Sequence, residues 1–166
     1  MKEMKRVALV LALVFLVGVV LTAPAAARGT VGERVVIMAG VPSAVDLVLE
    51  TPFYIEHGHG LTKDADTPRG LFGFNLYVDD VLQKPDYRST SVEQDVLLGP
   101  NTYPWMMFRT NVYNFPEGMT GSHTFKGVWT GPCQWAVENA GYSGTCDTPN
   151  AVVAMWTGST TVNFVE

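Results

Sequence analysis

The stretch WMMFRTNVYNF, Trp105 to Phe115, decides the fold class. Trp105, Met107, Arg109, Asn111 and Tyr113 alternate with Met106, Phe108, Thr110, Val112 and Asn114, and one of the two sets is the greasier. A period of two puts successive side chains on opposite faces of a strand, whereas a helix repeats every 3.6 residues. Working outward, the same alternation returns from Leu71 to Val78, with Phe72, Phe74, Leu76 and Val78 on one face. Ser122 to Thr130 sets His123, Phe125, Gly127 and Trp129 against Thr124, Lys126 and Val128. Further strands are predicted over Arg34–Met38, Ala44–Leu49, Phe53–Ile55, Ser89–Leu98, Val152–Trp156 and Thr160–Val165. Turn signals separate them: Gly40 with Pro42, Asp79-Asp80, Gly99-Pro100 and Pro116-Glu117-Gly118. No segment holds a helical period over three turns.

Seven to nine short, half-buried strands at this spacing predict an all-β domain. A two-sheet antiparallel sandwich accommodates them better than a closed barrel. Between His57 and Gly70 the composition turns to Gly, Asp, Thr and Pro, which predicts a surface loop.

The N-terminus carries a different message. Lys2, Lys5 and Arg6 precede an apolar run from Val7 to Val20, and Ala25-Ala26-Ala27 supplies the small residues that signal peptidase requires. Residues 1–27 therefore read as a cleavable signal peptide and residues 28–166 as a single exported domain, extracellular, periplasmic or at the cell surface. An uncleaved segment would instead anchor the chain to the membrane. Cleavage leaves eight Lys plus Arg against fifteen Asp plus Glu and moves the net charge from −5 to −7. That sign repels nucleic acid and anionic lipid, so neither is an expected partner, and no membrane association is expected after cleavage. Cys133 and Cys146, the only cysteines, read as a structural disulfide in an oxidising compartment, since they lack the C-x-x-C spacing of redox or metal pairs.

A resemblance follows from three segments. Phe74-Asn75-Leu76-Tyr77-Val78-Asp79-Asp80-Val81, Pro116-Glu117-Gly118-Met119-Thr120-Gly121-Ser122-His123-Thr124-Phe125 and Thr160-Thr161-Val162-Asn163-Phe164 resemble the immunoglobulin-like domains of secreted prokaryotic proteins. The resemblance implies an Ig-like sandwich and carries no catalytic residues with it. The chain departs from the pattern in having Asp80 where the hairpin usually carries glycine, and it lacks the inter-sheet cysteine pair of antibody domains.

Chemistry is sparse. His57-Gly58-His59 puts two imidazoles at i and i+2, which on an extended backbone share a face and can share a transition metal, with His123 completing the set. Asp64-Ala65-Asp66 offers oxygens to calcium but lacks the glycine and closing glutamate of an EF-hand loop. No serine stands in a nucleophile elbow, and nothing selects one carboxylate pair as an acid and base. Trp135, Tyr142 and Tyr103 fall in or beside loops and are the aromatics expected on a ligand surface, facing a protein or carbohydrate partner. The leading expectation is a non-catalytic binding or structural module without a cofactor. The alternatives are a metal-binding protein or metal-dependent enzyme using His57 and His59, and a subunit of an extracellular filament whose Val35–Met38 segment adds to a neighbour's sheet edge.

Overall fold

The computed structural model describes Thr30, residues 32–63 and residues 66–166. Residues 1–27, where a signal segment is expected, lie outside the described residues, as do Asp64 and Ala65 of the calcium candidate. The described chain is all-β, in two facing sheets. The elements are β1 (Glu33–Val35), β2 (Ser43–Val48), β3 (Phe53–Lys63), β4 (Gly73–Val78), β5 (Val81–Gln83), β6 (Tyr87–Leu98), β7 (Asn101–Phe115), β8 (Gly121–Pro132), helix α1 (Cys133–Asn139) and β9 (Val152–Val165). One sheet runs β1-β3-β7-β6 and the other β2-β9-β8-β4-β5. Among the described residues no helix is long and apolar enough to cross a membrane.

The sheets are mixed, which corrects the antiparallel expectation: β1 lies parallel to β3 and β2 parallel to β9. The cause is a single N-terminal run that changes sheets. After Val35 the chain passes Gly40 to Pro42 and joins the other sheet at Ser43, so it covers one edge of each sheet in the same direction. Thr160, 2% exposed, ties this crossing down: its hydroxyl donates to the Val36 carbonyl at 3.0 Å and meets Ser43 Oγ at 2.8 Å. The close passage requires Gly158, where a Cβ would lie 2.0 Å from the Met38 carbonyl oxygen.

A second correction concerns His57 to Lys63, which is strand and not loop. These residues extend β3 along β7 in unbroken register from Phe53↔Phe115 to Lys63↔Trp105. Their glycines alternate with His57, His59 and Leu61, so the period of two survives inside a composition that mimics a loop. Gly58 and Gly60 take the outer face, and Met106 Sδ lies within 3.5 Å of where a Gly60 Cβ would stand.

The core lies between the sheets. Phe53, Ile55 and Leu61 from β3 and Trp105, Met107 and Tyr113 from β7 face Phe74 and Leu76 from β4, Phe125 and Trp129 from β8 and Val162 and Phe164 from β9. Phe53 stacks on Phe115 at 4.6 Å and meets the edge of Phe125 at 5.7 Å. Each such side chain contributes about 1.5–3 kcal/mol on burial. The core therefore outweighs the Cys133–Cys146 disulfide, which is present and whose loop is worth about 3 kcal/mol.

The segment after Pro132, where Trp135 reads as an aromatic in or beside a loop, forms α1. The N–H groups of Cys133 and Gln134 donate to the carbonyls of Ala151 and Pro149, which satisfies donors that a helix start leaves open. Trp135 and Ala136 turn into the core.

Candidate functional site

The inner face of the β1-β3-β7-β6 sheet is interrupted by two polar rows. Register places His57, Asn111 and Arg88 side by side across β3, β7 and β6, and His59, Arg109 and Thr90 in the next row. Apolar rows flank them: Ile55 beside Tyr113 on one side, and Leu61, Met107 and Val92 on the other.

At the β3 end the rows are sealed by the facing sheet. Phe74 stacks on His57 with centroids 3.9 Å apart, and Trp129 meets the ring edge-on at 4.7 Å. Trp129 Nε1 donates to His57 Nε2 at 2.6 Å, and His59 Nδ1 stands 2.7 Å from the same atom. The indole nitrogen is only a donor, so His57 Nε2 carries no proton, and the N–H of the His57–His59 contact belongs to His59 Nδ1. Burial, and secondarily the neighbouring His59, holds the His57 pKa well below 6.5. Burial and then the Arg109 charge bring His59 to about 4. Both rings are neutral at pH 7. His59 Nε2 is left as a buried acceptor with no partner.

At the β6 end the rows open to solvent. The opposite sheet ends there in the three-residue β5, and the inner residues of β6, Arg88, Thr90, Val92 and Gln94, are exposed. Arg109 donates through Nε to Thr90 Oγ1 at 3.2 Å and through Nη1 to the Phe72 carbonyl. Arg88 Nε donates to Asn111 Oδ1 at 3.0 Å. Asn111 is 0% exposed, yet its Nδ2 has no partner. The Tyr113 hydroxyl is also buried without a completed hydrogen bond, although the Leu76 backbone lies near it. Burial raises that phenol to about 12, against the opposing pull of Arg88. Burial and the Arg88 charge both lower the Arg109 pKa. Among the described residues neither guanidinium has a carboxylate partner; the acid–base pairs lie elsewhere, Arg34 with Glu56 at 3.7 Å and His123 with Asp79 at 2.5 Å.

His123 is not brought to His57 and His59. Its Nε2 donates to the Thr120 carbonyl at 2.9 Å and its Nδ1 meets Asp79 Oδ2, while Asp79 Oδ1 accepts from the Thr124 N–H at 2.9 Å. Both ring nitrogens act as donors, the arrangement of an imidazolium, and the hydrogen bond to Asp79 raises its pKa. Among the described residues no group of three or more His, Cys, Asp and Glu is placed to hold a metal ion.

The three aromatics expected on a ligand surface are dispersed. Trp135 is 6% exposed on α1, edge-on to Phe72 at 5.0 Å and to Trp156 at 6.2 Å, which corrects its placement in a loop. Tyr142 packs half-buried against the core, and Tyr103 sits half-buried on β7 opposite Val96. A hollow of about 330 Å³ lies beside α1, between Asp66–Pro68, Pro132, Trp135 and Pro149. Its Gln134 and Glu138 side chains bond each other at 3.0 Å. The buried polar groups of the rows that lack partners make them the stronger candidate. Arg109, Asn111 and Tyr113 fall in one alternating set of Trp105–Phe115 in the sequence; Arg88 joins them only through the β6–β7 register. Comparison with protein-family models, with curated proteins and with solved structures finds no match.

Proposed function

We propose that this chain is an exported, non-catalytic binding module on an immunoglobulin-like sandwich, acting at the cell surface or outside the cell. The observation that carries the binding role is the polar margin at Arg88 and Arg109, where the exposed Arg88 bonds the buried Asn111 and where Asn111 Nδ2 has no partner on what is otherwise a core face. Native interiors rarely leave such groups without partners. Among the described residues the margin offers hydrogen-bond donors with neither a nucleophile beside a base nor a carboxylate pair, which fits holding a molecule.

Strand order supports the Ig-like reading. The sheets β1-β3-β7-β6 and β9-β8-β4 reproduce, in chain order, the ABED and CFG sheets of that fold. The disulfide supports an oxidising destination. The metal reading has less support, because His57 Nε2 and His59 Nδ1 already face each other and Trp129. The filament reading has less support as well, because Val35 and Ile37 are 2% and 6% exposed within the chain's own core.

The test is fractionation of cells producing the full chain. The expected result is protein outside the cytoplasm, beginning near Arg28, with Cys133 and Cys146 oxidised, and retained saturably by cell-surface or extracellular material that it leaves chemically unchanged. Recovery in the cytoplasm with free thiols, or turnover of the retained material, contradicts the proposal.

A further inference from the structure

We infer that the outer edge of β6 pairs with the same edge of a second copy of this chain, joining the two β1-β3-β7-β6 sheets into one sheet across a two-fold axis. The inference goes beyond the binding-module reading and needs none of the buried groups of the polar rows.

Edge length singles out β6. Three of the four edge strands are short: β1 and β5 have three residues each and β2 has six. β6 has twelve. A short edge offers little to a neighbour, whereas a long one presents a row of backbone donors and acceptors. Among the described residues, the backbone of Arg88 to Gln94 bonds only to β7, so every second residue turns its N–H and C=O outward without a partner. The row is accessible, since every residue from Thr90 to Asp95 is exposed.

The usual safeguards of an edge are missing. Neither proline nor lysine occurs between Tyr87 and Leu98. Tyr87 to Gln94 pair with Val112 to Trp105 in unbroken register, with no bulge to twist the edge away. The regular run ends only at Asp95, where φ is 52°. Arg88 is the charge among the inward-pointing residues of this run, and its bond to Asn111 Oδ1 at 3.0 Å draws it toward β7 and away from the open edge.

Symmetry and charge identify the second copy as the occupant. A two-fold axis normal to the sheet opposes residues of the same face, so it passes through one residue and its copy. Centred on Ser91, it sets Thr90 against Val92, Ser89 against Glu93 and Arg88 against Gln94. No like charges stand opposite each other. At about 3.4 Å per residue, the two copies of Arg88 lie about 20 Å apart along the strands and the two copies of Glu93 about 14 Å, beyond the Debye length of about 8 Å. Val92 is 38% exposed because the facing sheet ends in the short β5, and pairing gives it a β-branched neighbour in Thr90 of the second copy.

The experiment is sedimentation of the exported, oxidised protein between about 1 μM and about 1 mM. A reversible monomer–dimer equilibrium is expected. Ser91→Lys, at an exposed position, sets two like charges against each other at the axis and should raise the dissociation constant about fivefold or more. Ser91→Cys should yield a disulfide-linked dimer on mild oxidation, because directly opposed residues have Cα atoms about 4.5–5.5 Å apart. Ser89→Cys, whose two copies would lie about 14 Å apart, should stay unlinked. A protein that remains monomeric over the whole range overturns the inference, whether the edge then takes a foreign strand or none. A dimer that Ser91→Lys leaves unchanged overturns it as well, as does equal cross-linking through Ser89→Cys and Ser91→Cys.

Discussion

The indole N–H of Trp129 on β8 donates to Nε2 of His57 on β3 at 2.6 Å, and the two residues belong to opposite sheets. This bond crosses the interior where a sandwich normally offers only apolar contact. Phe74 stacks on the same imidazole, with Gly127 leaving room for it, and His59 flanks the ring, so three residues from three strands converge on it. A buried imidazole between the sheets remains neutral, and that neutrality lets it accept from both Trp129 and His59.

Stability should therefore fall in acid before the carboxylates titrate. His57 and His59 have folded pKa values below the ordinary 6.5, so below pH 6.5 the unfolded chain binds more protons than the folded one. Stability is complete above pH 6.5 and is lost downward, at roughly 1.4 kcal/mol per pH unit for each ring, to about pH 4 for His59. His123 acts in the opposite sense: its raised pKa gives a contribution that is complete below 6.5 and lost as the pH rises through the folded value. Urea unfolding from pH 4 to 9 should show a maximum near neutrality and a steep acid limb, and His57→Phe should flatten that limb. An unchanged midpoint between pH 7 and 5 would contradict this.

The β4–β5 turn separates two aspartates that look alike in sequence. Asp79 and Asp80 both have positive φ, 48° and 65°, as a two-residue hairpin of this hand requires. Among the described residues only Asp79 uses its carboxylate, on His123 and on the Thr124 N–H. Asp80→Gly should raise stability by roughly 0.5–1 kcal/mol by removing left-handed strain. Asp79→Gly should lower it despite the same relief of strain. Thermal melts of the two variants decide between them.

Gly127→Ala should destabilise by about 1–3 kcal/mol through overpacking, because the new Cβ would lie 2.8 Å from a Phe74 ring carbon. Gly70→Ala is the control: nothing lies within 4 Å of its Cβ position, so the change should stay within about 0.5 kcal/mol. Chemical denaturation of both variants checks the pair.

Reduction of Cys133–Cys146 should cost about 3 kcal/mol, or roughly 10 °C in Tm, and the loss should be concentrated in α1. The bridge joins the first helical residue to the loop beyond. Hydrogen exchange under reducing conditions should accelerate in Cys133–Asn139 before it does in β7 or β8. Uniform acceleration would contradict the assignment of the bridge to that corner.

Much of the sandwich was legible because burial imposes a period of two. Leu71–Val78 and Ser122–Thr130 show their inward faces plainly, and the structure buries those residues with only His123 left half-exposed. His57–Lys63 was opaque because glycine and histidine are read as loop residues, while here Gly60 vacates an outer face for Met106 and Phe108. Trp135 was misplaced because seven residues are too few to display a helical period; the carbonyls of Pro149 and Ala151 start that helix, and they are distant in sequence. The parallel edges could not be read from any local pattern, since they depend on where one chain segment changes sheets. The candidate site was half visible. Arg109 and Asn111 share an alternating set with Trp105, Met107 and Tyr113, but pairing them with Arg88 required the β6–β7 register.

The central claim is that a neutral His57 links the sheets by accepting from Trp129, and long-range nitrogen-15 NMR of the imidazole rings tests it most directly. The predicted result at pH 6 is His57 as the neutral Nδ1–H tautomer, with Nε2 unprotonated and the Trp129 indole proton protected from exchange. A protonated His57 at that pH, with the Trp129 indole exchanging freely, would contradict the claim.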